Sequence, residues 1–428
     1  MRSQRQHRIR IFRINFRAVT IALTLTMLFA VLAVLTPAAQ AQTFHVIHTF
    51  TGAGDGGNPE AGVTYKAGNL YGTTYNYGTH GYGAVYQLKQ KQGNWTVNPL
   101  YSFTGGKDGA NPRARVVFGP GGSLFGTTAK GGSSNVGAVF ELRPPASAPK
   151  SALFPWGETV LYAFEAGSDG AYPGYGDLIF DGAGNIYDNT IQGGKPYNAG
   201  CAYELTPSGG GYTESLLYCF GGGSDGVSPY DGLNFDNAGN LYGTTYNGGL
   251  HGNGTVFQLV PVGDAWMENI IYSFQNGKDG ALPDGGVIAI VDQLGNLNLY
   301  GITSYGGTGG AGTVFQLTYE GNNNWSFTTL YSFTGSHNCG SNGNLMVDGA
   351  GNFYGTTYCA GANNLGSVFK LTPTAQPPWT YTSLHDFTGG NDGKIPYGNV
   401  IFDANGNLYG TASAGGSQGV GVVWEITP

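Results

Sequence analysis

From residue 42 onward the apolar residues fall in short runs rather than long stretches. Each run is rich in β-branched, aromatic and aliphatic side chains, and Gly, Asn, Asp or Pro turns part it from the next. That pattern predicts strands. Four runs make one unit, for example 232–236, 240–245, 255–259 and 267–274. The phenylalanine closing the fourth run recurs as Phe50, Phe103, Phe164, Phe220, Phe274, Phe333 and Phe387, seven copies spaced 53 to 61 residues apart. A Leu-Tyr-Gly-Thr-Thr run marks the second strand at 70–74 and 241–245, with variants at 124–128 and 353–357. Looser copies begin at Ile186, Leu299 and Leu408.

A four-stranded unit repeated radially hides most of its strand edges, which is the propeller solution. The sequence therefore predicts an all-β, seven-bladed β-propeller. Closure follows from the two ends. The repeats open with a lone fourth strand, 44–50, and finish on a third strand, 420–426, so the N-terminal strand is expected to complete the last blade. The glycine inside each second strand is expected to let a neighbouring sheet approach closely.

The unit reads Y-S-F…D-G…G-N-L-Y-G-T-T…V-F-x-L, and in those residues the chain resembles the bacterial family named for the GloVer tandem repeat. The likeness spans essentially all of 42–428. It implies an exported repeat protein, often with one of several C-terminal anchors; no such tail follows the last strand here. The resemblance brings no activity with it.

Residues 1–41 are expected to be a cleaved export signal. Six arginines precede an apolar run from Ala18 to Leu35, and Ala39-Gln40-Ala41 has the A-x-A form. Residues 42–428 would then be one propeller domain. Losing 1–41 removes six of the 19 basic residues and none of the 26 acids, so the formal net charge moves from −7 to −13. That balance disfavours nucleic acid and anionic membranes as partners. No later stretch is apolar enough to span a membrane. A secreted or periplasmic monomer is expected.

Four cysteines in an exported chain suggest two disulfides. Cys201 and Cys219 fall opposite each other across a hairpin. Cys339 and Cys359 lie in the sixth repeat, which alone lacks the Asp-Gly-x-x-Pro loop seen at Asp55, Asp108, Asp169, Asp225, Asp279 and Asp392. Those aspartates are expected to order their loops by accepting backbone N–H bonds. One Asp per blade is too few for calcium, which takes six or more oxygens. The Asp-x-x-Gly-Asn segments are read as hairpin turns. No metal or cofactor is expected.

Residues just after the loop proline begin the innermost strands and are expected to ring the central funnel. They break the monotony of the repeat: Glu60, Arg113, Arg115, Tyr175, Asp177, Tyr230, Asp231, Asp284, Tyr397 and Asn399. Loops between second and third strands add Tyr75, Tyr77, His80, Tyr82, Tyr246, His251, Tyr305 and Tyr358. Aromatic faces among amides suit sugar rings. In the third repeat Asp188 replaces the second-strand glycine, which would make it an acid or base if buried. No G-x-S-x-G elbow, H-E-x-x-H, phosphate loop or dinucleotide fingerprint is present. The leading expectation is a non-catalytic protein binding a glycan or cell-surface polymer. The alternatives are a polysaccharide lyase or hydrolase using the funnel residues, and a scaffold for cell-envelope proteins.

Overall fold

The computed structural model describes residues 42–145, 156–335, 340 and 343–428. The expected export signal and Cys339 lie outside them. Within the compact unit Phe44–Thr427 the chain forms seven antiparallel blades of a β-propeller. Blade 4 shows the pattern: strands Asn234–Phe235, Leu241–Thr245, Thr255–Val262 and Ala265–Ser273, paired in sequence order. The first strands are shorter than expected, two residues in five of the blades. Their leading residues leave the ladder to press on neighbouring blades at the axis. Blade 3 gains an additional strand, Gly170–Pro173, paired with a lengthened second strand, Ile186–Gly193.

The last blade is completed by the N-terminal strand. Thr43–Thr49 is its outermost strand, hydrogen-bonded to Val422–Thr427. The Phe44 ring stacks on His385 at 3.6 Å, and the Thr411 hydroxyl donates to the Ala61 carbonyl at 2.7 Å. The second hydroxyl of the Tyr-Gly-Thr-Thr run is buried. The first makes the contact between blades: Thr73, Thr244 and Thr356 donate to the carbonyls of Ala114, Gly285 and Gly398 in the next blade. In blade 3 Asn189 makes the same contact, its amide donating to the Asp231 carbonyl at 2.9 Å.

The core lies between blades as well as within them. Val85, Leu100 and Phe103 of blade 1 pack with Val116, Leu124, Phe140 and Leu142 of blade 2. The second-strand glycine has a different role from the one its position suggested. A Cβ on Gly243 would stand 2.5 Å from the Phe257 ring, and one on Gly410 2.3 Å from Trp424. Both rings belong to the facing third strand of the same blade. The glycine makes room for an aromatic folded over its own sheet.

Each Asp-Gly loop is ordered by its aspartate. Asp108 accepts the Thr104 N–H at 2.7 Å, and Asp279 and Asp392 accept those of Gln275 and Thr388 at 2.8 Å. The Asp-x-x-Gly-Asn turns are equally self-contained. Asp236 Oδ1 accepts the N–H groups of Ala238 and Asn240, while Oδ2 accepts the Asn240 amide and the Tyr242 hydroxyl.

Asp188 faces Tyr203 across the ladder and is only 1% exposed. Burial pushes its carboxyl well above the usual range, with Asp231 and Asp177 adding to the effect. Its Oδ2 is buried beside the Tyr203 hydroxyl but outside good hydrogen-bonding geometry with it. An unpaired buried polar atom costs about 1–3 kcal/mol, against about 1 kcal/mol for glycine in a strand. Asp188→Gly, which restores the residue of the other blades, is expected to stabilise the protein by about 1 kcal/mol in urea denaturation. Destabilisation would mean that the carboxyl makes favourable contacts outweighing its burial.

Candidate functional site at the axial mouth

Strand alternation sorts the funnel residues into layers, because residues two apart share a face. The residue after the loop proline (or one further on in blade 3) forms the outer layer: Glu60, Arg113, Tyr175, Tyr230, Asp284 and Tyr397. Two residues further in lie Gly62, Arg115, Asp177, Gly232, Gly286, Asn344 and Asn399. The outer layer is a mouth. The inner layer is a plug.

In the plug, Arg115 holds Asp177 with two donors, Nε at 2.9 Å and an Nη that donates to the same oxygen. The Asn399 amide donates to that oxygen at 3.3 Å, and Asn399 Oδ1 accepts the Asn344 N–H at 2.5 Å. Four blades are thereby tied together across the axis. Glycine is required beside them: a Cβ on Gly62 would sit 2.0 Å from the Asn399 carbonyl oxygen. Arg115 and Asn399 were expected at the mouth, and the structure gives both of them this closing role. Asn344 escaped sequence reasoning because blade 6 lacks the Asp-Gly-x-x-Pro landmark that fixes the numbering elsewhere.

Asp231 lies one residue out of step with either layer and so points between blades. It is 3% exposed, and its oxygens accept the Gly232 N–H at 2.7 Å and the Gly286 N–H at 2.8 Å. Burial lifts its carboxyl to about 6 despite those two bonds. It joins blades 4 and 5.

The mouth is aromatic with one accessible cation. The Arg113 guanidinium lies 5.0 Å from the ring centres of both Tyr75 and Tyr175. Its Nε is 3.6 Å from Glu60, an ion pair too long for a hydrogen bond, and its Nη donates to the Tyr75 hydroxyl at 3.3 Å. Tyr230 meets Tyr246 edge to face at 4.8 Å, and Tyr397 tilts against Tyr358 at 4.8 Å. Loops between second and third strands thus supply Tyr75, Tyr246 and Tyr358 as partners of Arg113, Tyr230 and Tyr397. Burial raises the Glu60 carboxyl, opposed by Arg113. Burial also raises Asp284, to about 7, with Asp231 adding to it. Among the described residues no group of three or more His, Cys, Asp or Glu side chains is placed to hold a metal ion. None of their helices is long and apolar enough to cross a membrane.

Three consecutive matches, residues 31–155, 153–297 and 268–428, fit the family described as the Gloeobacter/Verrucomicrobia repeat. The chain belongs to that family. Its GloVer repeats therefore run through all seven blades. No curated protein sequence matches the chain. Among solved structures, an ulvan lyase of a polysaccharide lyase family, bound to -[GlcA(1-4)Rha3S]-, is 12% identical. The match covers 88% of this chain and 94% of that one, with a TM-score of 0.52. An α-L-arabinanase from Penicillium chrysogenum is 9% identical over 90% of this chain and 98% of that one, at 0.45. A protein of unknown function from Dyadobacter fermentans is 12% identical over 80% and 98%, at 0.42. At such identities the likeness is one of fold.

The cysteines of this GloVer chain can be placed as well. Cys201 and Cys219 are bonded, directly opposite in the third and fourth strands of blade 3, with a Cα–Cα distance of 4.0 Å. The described residues include no free cysteine, Cys359 among them.

Proposed function

We propose that this protein is an exported, non-catalytic glycan-binding propeller whose ligand lies across the aromatic mouth. The observation that carries the reading is Arg113 held between Tyr75 and Tyr175, beside the Tyr230–Tyr246 and Tyr358–Tyr397 pairs. Tyrosine faces take the C–H faces of sugar rings, and their hydroxyls meet sugar hydroxyls. The guanidinium adds a fork of donors for ring oxygens or a uronic carboxylate. A disulfide suits an oxidising compartment outside the cytoplasm. The ulvan lyase supports a glycan reading by analogy of fold only.

The test is binding to an array of plant and microbial polysaccharides, comparing wild type with Arg113→Ala/Tyr230→Ala. Two lost contacts of about 1–2 kcal/mol each are expected to weaken binding at least tenfold with the melting temperature nearly unchanged. Equal binding by the double variant would overturn the reading.

One observation favours a second reading, a glycan-cleaving enzyme. The Asp284 carboxyl keeps its proton close to neutral pH, as a general acid must. Glycan turnover lost in Asp284→Asn would support it, and an absence of products from every bound polysaccharide would dismiss it.

A further inference from the structure

We propose that the mouth takes an internal stretch of a polysaccharide, laid sideways across several sugar units, and not a monosaccharide or a chain end. This rests on the glycan reading above and narrows it. The first support is that the mouth side chains form one continuous strip. Tyr75 of blade 1, Arg113 of blade 2, Tyr175 of blade 3, and Tyr230 and Tyr246 of blade 4 follow one another in that order. With the guanidinium carbon as the centre of Arg113, each centre lies 4.8 to 6.3 Å from the next. That step is close to the length of one pyranose unit, so successive sugars of a chain meet successive members of the strip. All five side chains belong to half-buried residues, so each keeps an open side while its neighbours hold it in place.

The second support is that this part of the mouth has no socket beneath it. The space enclosed between the Glu60, Arg113, Tyr175 and Tyr397 side chains and the plug is about 10 Å³, room for about one water molecule. Sites that engulf a small ligand measure about 300–1,000 Å³. The Arg115–Asp177–Asn399 layer closes the axis below, so a chain can neither thread inward there nor lodge its end. A ligand must therefore lie on the strip. A single sugar touches one or two of its members. A longer segment touches them all, and the contacts reinforce one another because one chain joins them.

Titration calorimetry of the purified protein tests this with laminari-, cello-, manno- and galacturono-oligosaccharides, each from mono- to hexasaccharide. At least one series is expected to bind, with affinity rising about tenfold or more from disaccharide to hexasaccharide. Converting the reducing end to the alditol with borohydride is expected to leave hexasaccharide binding unchanged. Tyr175→Ala interrupts the strip at its middle. It is expected to weaken the hexasaccharide by about tenfold or more and the disaccharide by less than about threefold. Tyr246→Ala, at the end of the strip, serves the same purpose should Tyr175→Ala fail to fold. Affinity independent of length, or lost when the end is reduced, would overturn this inference and leave the glycan reading standing. Length dependence that survives both substitutions would overturn it too, since the added contacts would then lie off the strip. Binding by no series at any length would also overturn it, and the polysaccharide array would decide whether the glycan reading falls with it.

Discussion

Stability is expected to fall by about 3 kcal/mol as pH rises from 5.5 to 9, a range over which ordinary solvent-exposed carboxylates would leave it unchanged. The cause is one position in the fourth strand of three successive blades. Glu158, Glu214 and Glu268 occupy the same register, opposite Leu142, Leu205 and Leu259. Each has a buried Oε1 with no partner and feels the loop aspartate on the side of the preceding blade, Asp108, Asp169 and Asp225 respectively. Burial first, and then that aspartate, raises the three carboxyls to about 7, 7 and 8. In blades 5 and 6 the same position is aromatic instead, Phe327 stacked on Tyr272 at 4.3 Å and Tyr381 on Tyr331 at 5.1 Å.

A folded-state pKa above the unfolded value means that the folded protein holds the proton more tightly. The stabilising contribution is complete below about pH 4.5 and is lost as pH rises through 7 to 8. Full conversion would give roughly 3 to 5 kcal/mol per group. The three side chains are half-exposed, so screening reduces this to about 1 kcal/mol each. Asp284, raised to about 7, acts in the same direction. At the acid end the order is reversed. Burial lowers His48 and His385, so protonating them costs stability below about pH 6. Bonds to their turns hold Asp181 and Asp348 low, and their contribution is lost only in strong acid. Maximum stability is therefore expected near pH 5 to 6. Urea titrations across pH should show this, and Glu158→Gln/Glu214→Gln/Glu268→Gln should flatten the alkaline limb. A triple variant with the wild-type profile would contradict the assignment.

Breaking the blade 3 disulfide is the second large effect. Cys201 and Cys219 are 18 residues apart, and closing such a loop in the unfolded chain is worth about 3 kcal/mol in the chain-entropy account. Blade 4 supplies the natural replacement, Thr255 opposite Ser273, with the Thr255 hydroxyl 2.8 Å from that of Thr245. Cys201→Thr/Cys219→Ser is expected to fold, to lose about 2–3 kcal/mol, and to lose the sensitivity to reductant contributed by this bond. Stability equal to oxidised wild type would show that the bond constrains little in the unfolded chain.

The propeller was legible because the repeat carries its own ruler, from the phenylalanine closing each fourth strand to the Tyr-Gly-Thr-Thr run. Ring closure was legible for the same reason, since the first and last strands of the repeat series, Thr43–Thr49 and Val422–Thr427, are complementary parts of one unit. The layering of the funnel was less so. Arg115 and Asn399 vary as Arg113 and Tyr397 do, but only strand parity separates plug from mouth, and Asp231 falls between the two phases. Asn344 was hidden by the degenerate loop before it. Glu158, Glu214 and Glu268 were invisible as a set, because their partners lie across a gap between blades that no spacing along the chain reveals. Glu204 and Glu425, by contrast, have partners within their own blades, accepting the Tyr187 and Tyr409 hydroxyls at 2.7 and 2.8 Å.

The mouth is the central claim, and hydroxyl-radical footprinting with a bound polysaccharide locates the ligand directly. Saturating ligand is predicted to protect Tyr75, Tyr230, Tyr246 and Tyr397 while leaving Met267 and Leu294, exposed elsewhere on the surface, as reactive as before. Protection confined to Met267 or Leu294, with the four tyrosines unchanged, would contradict it.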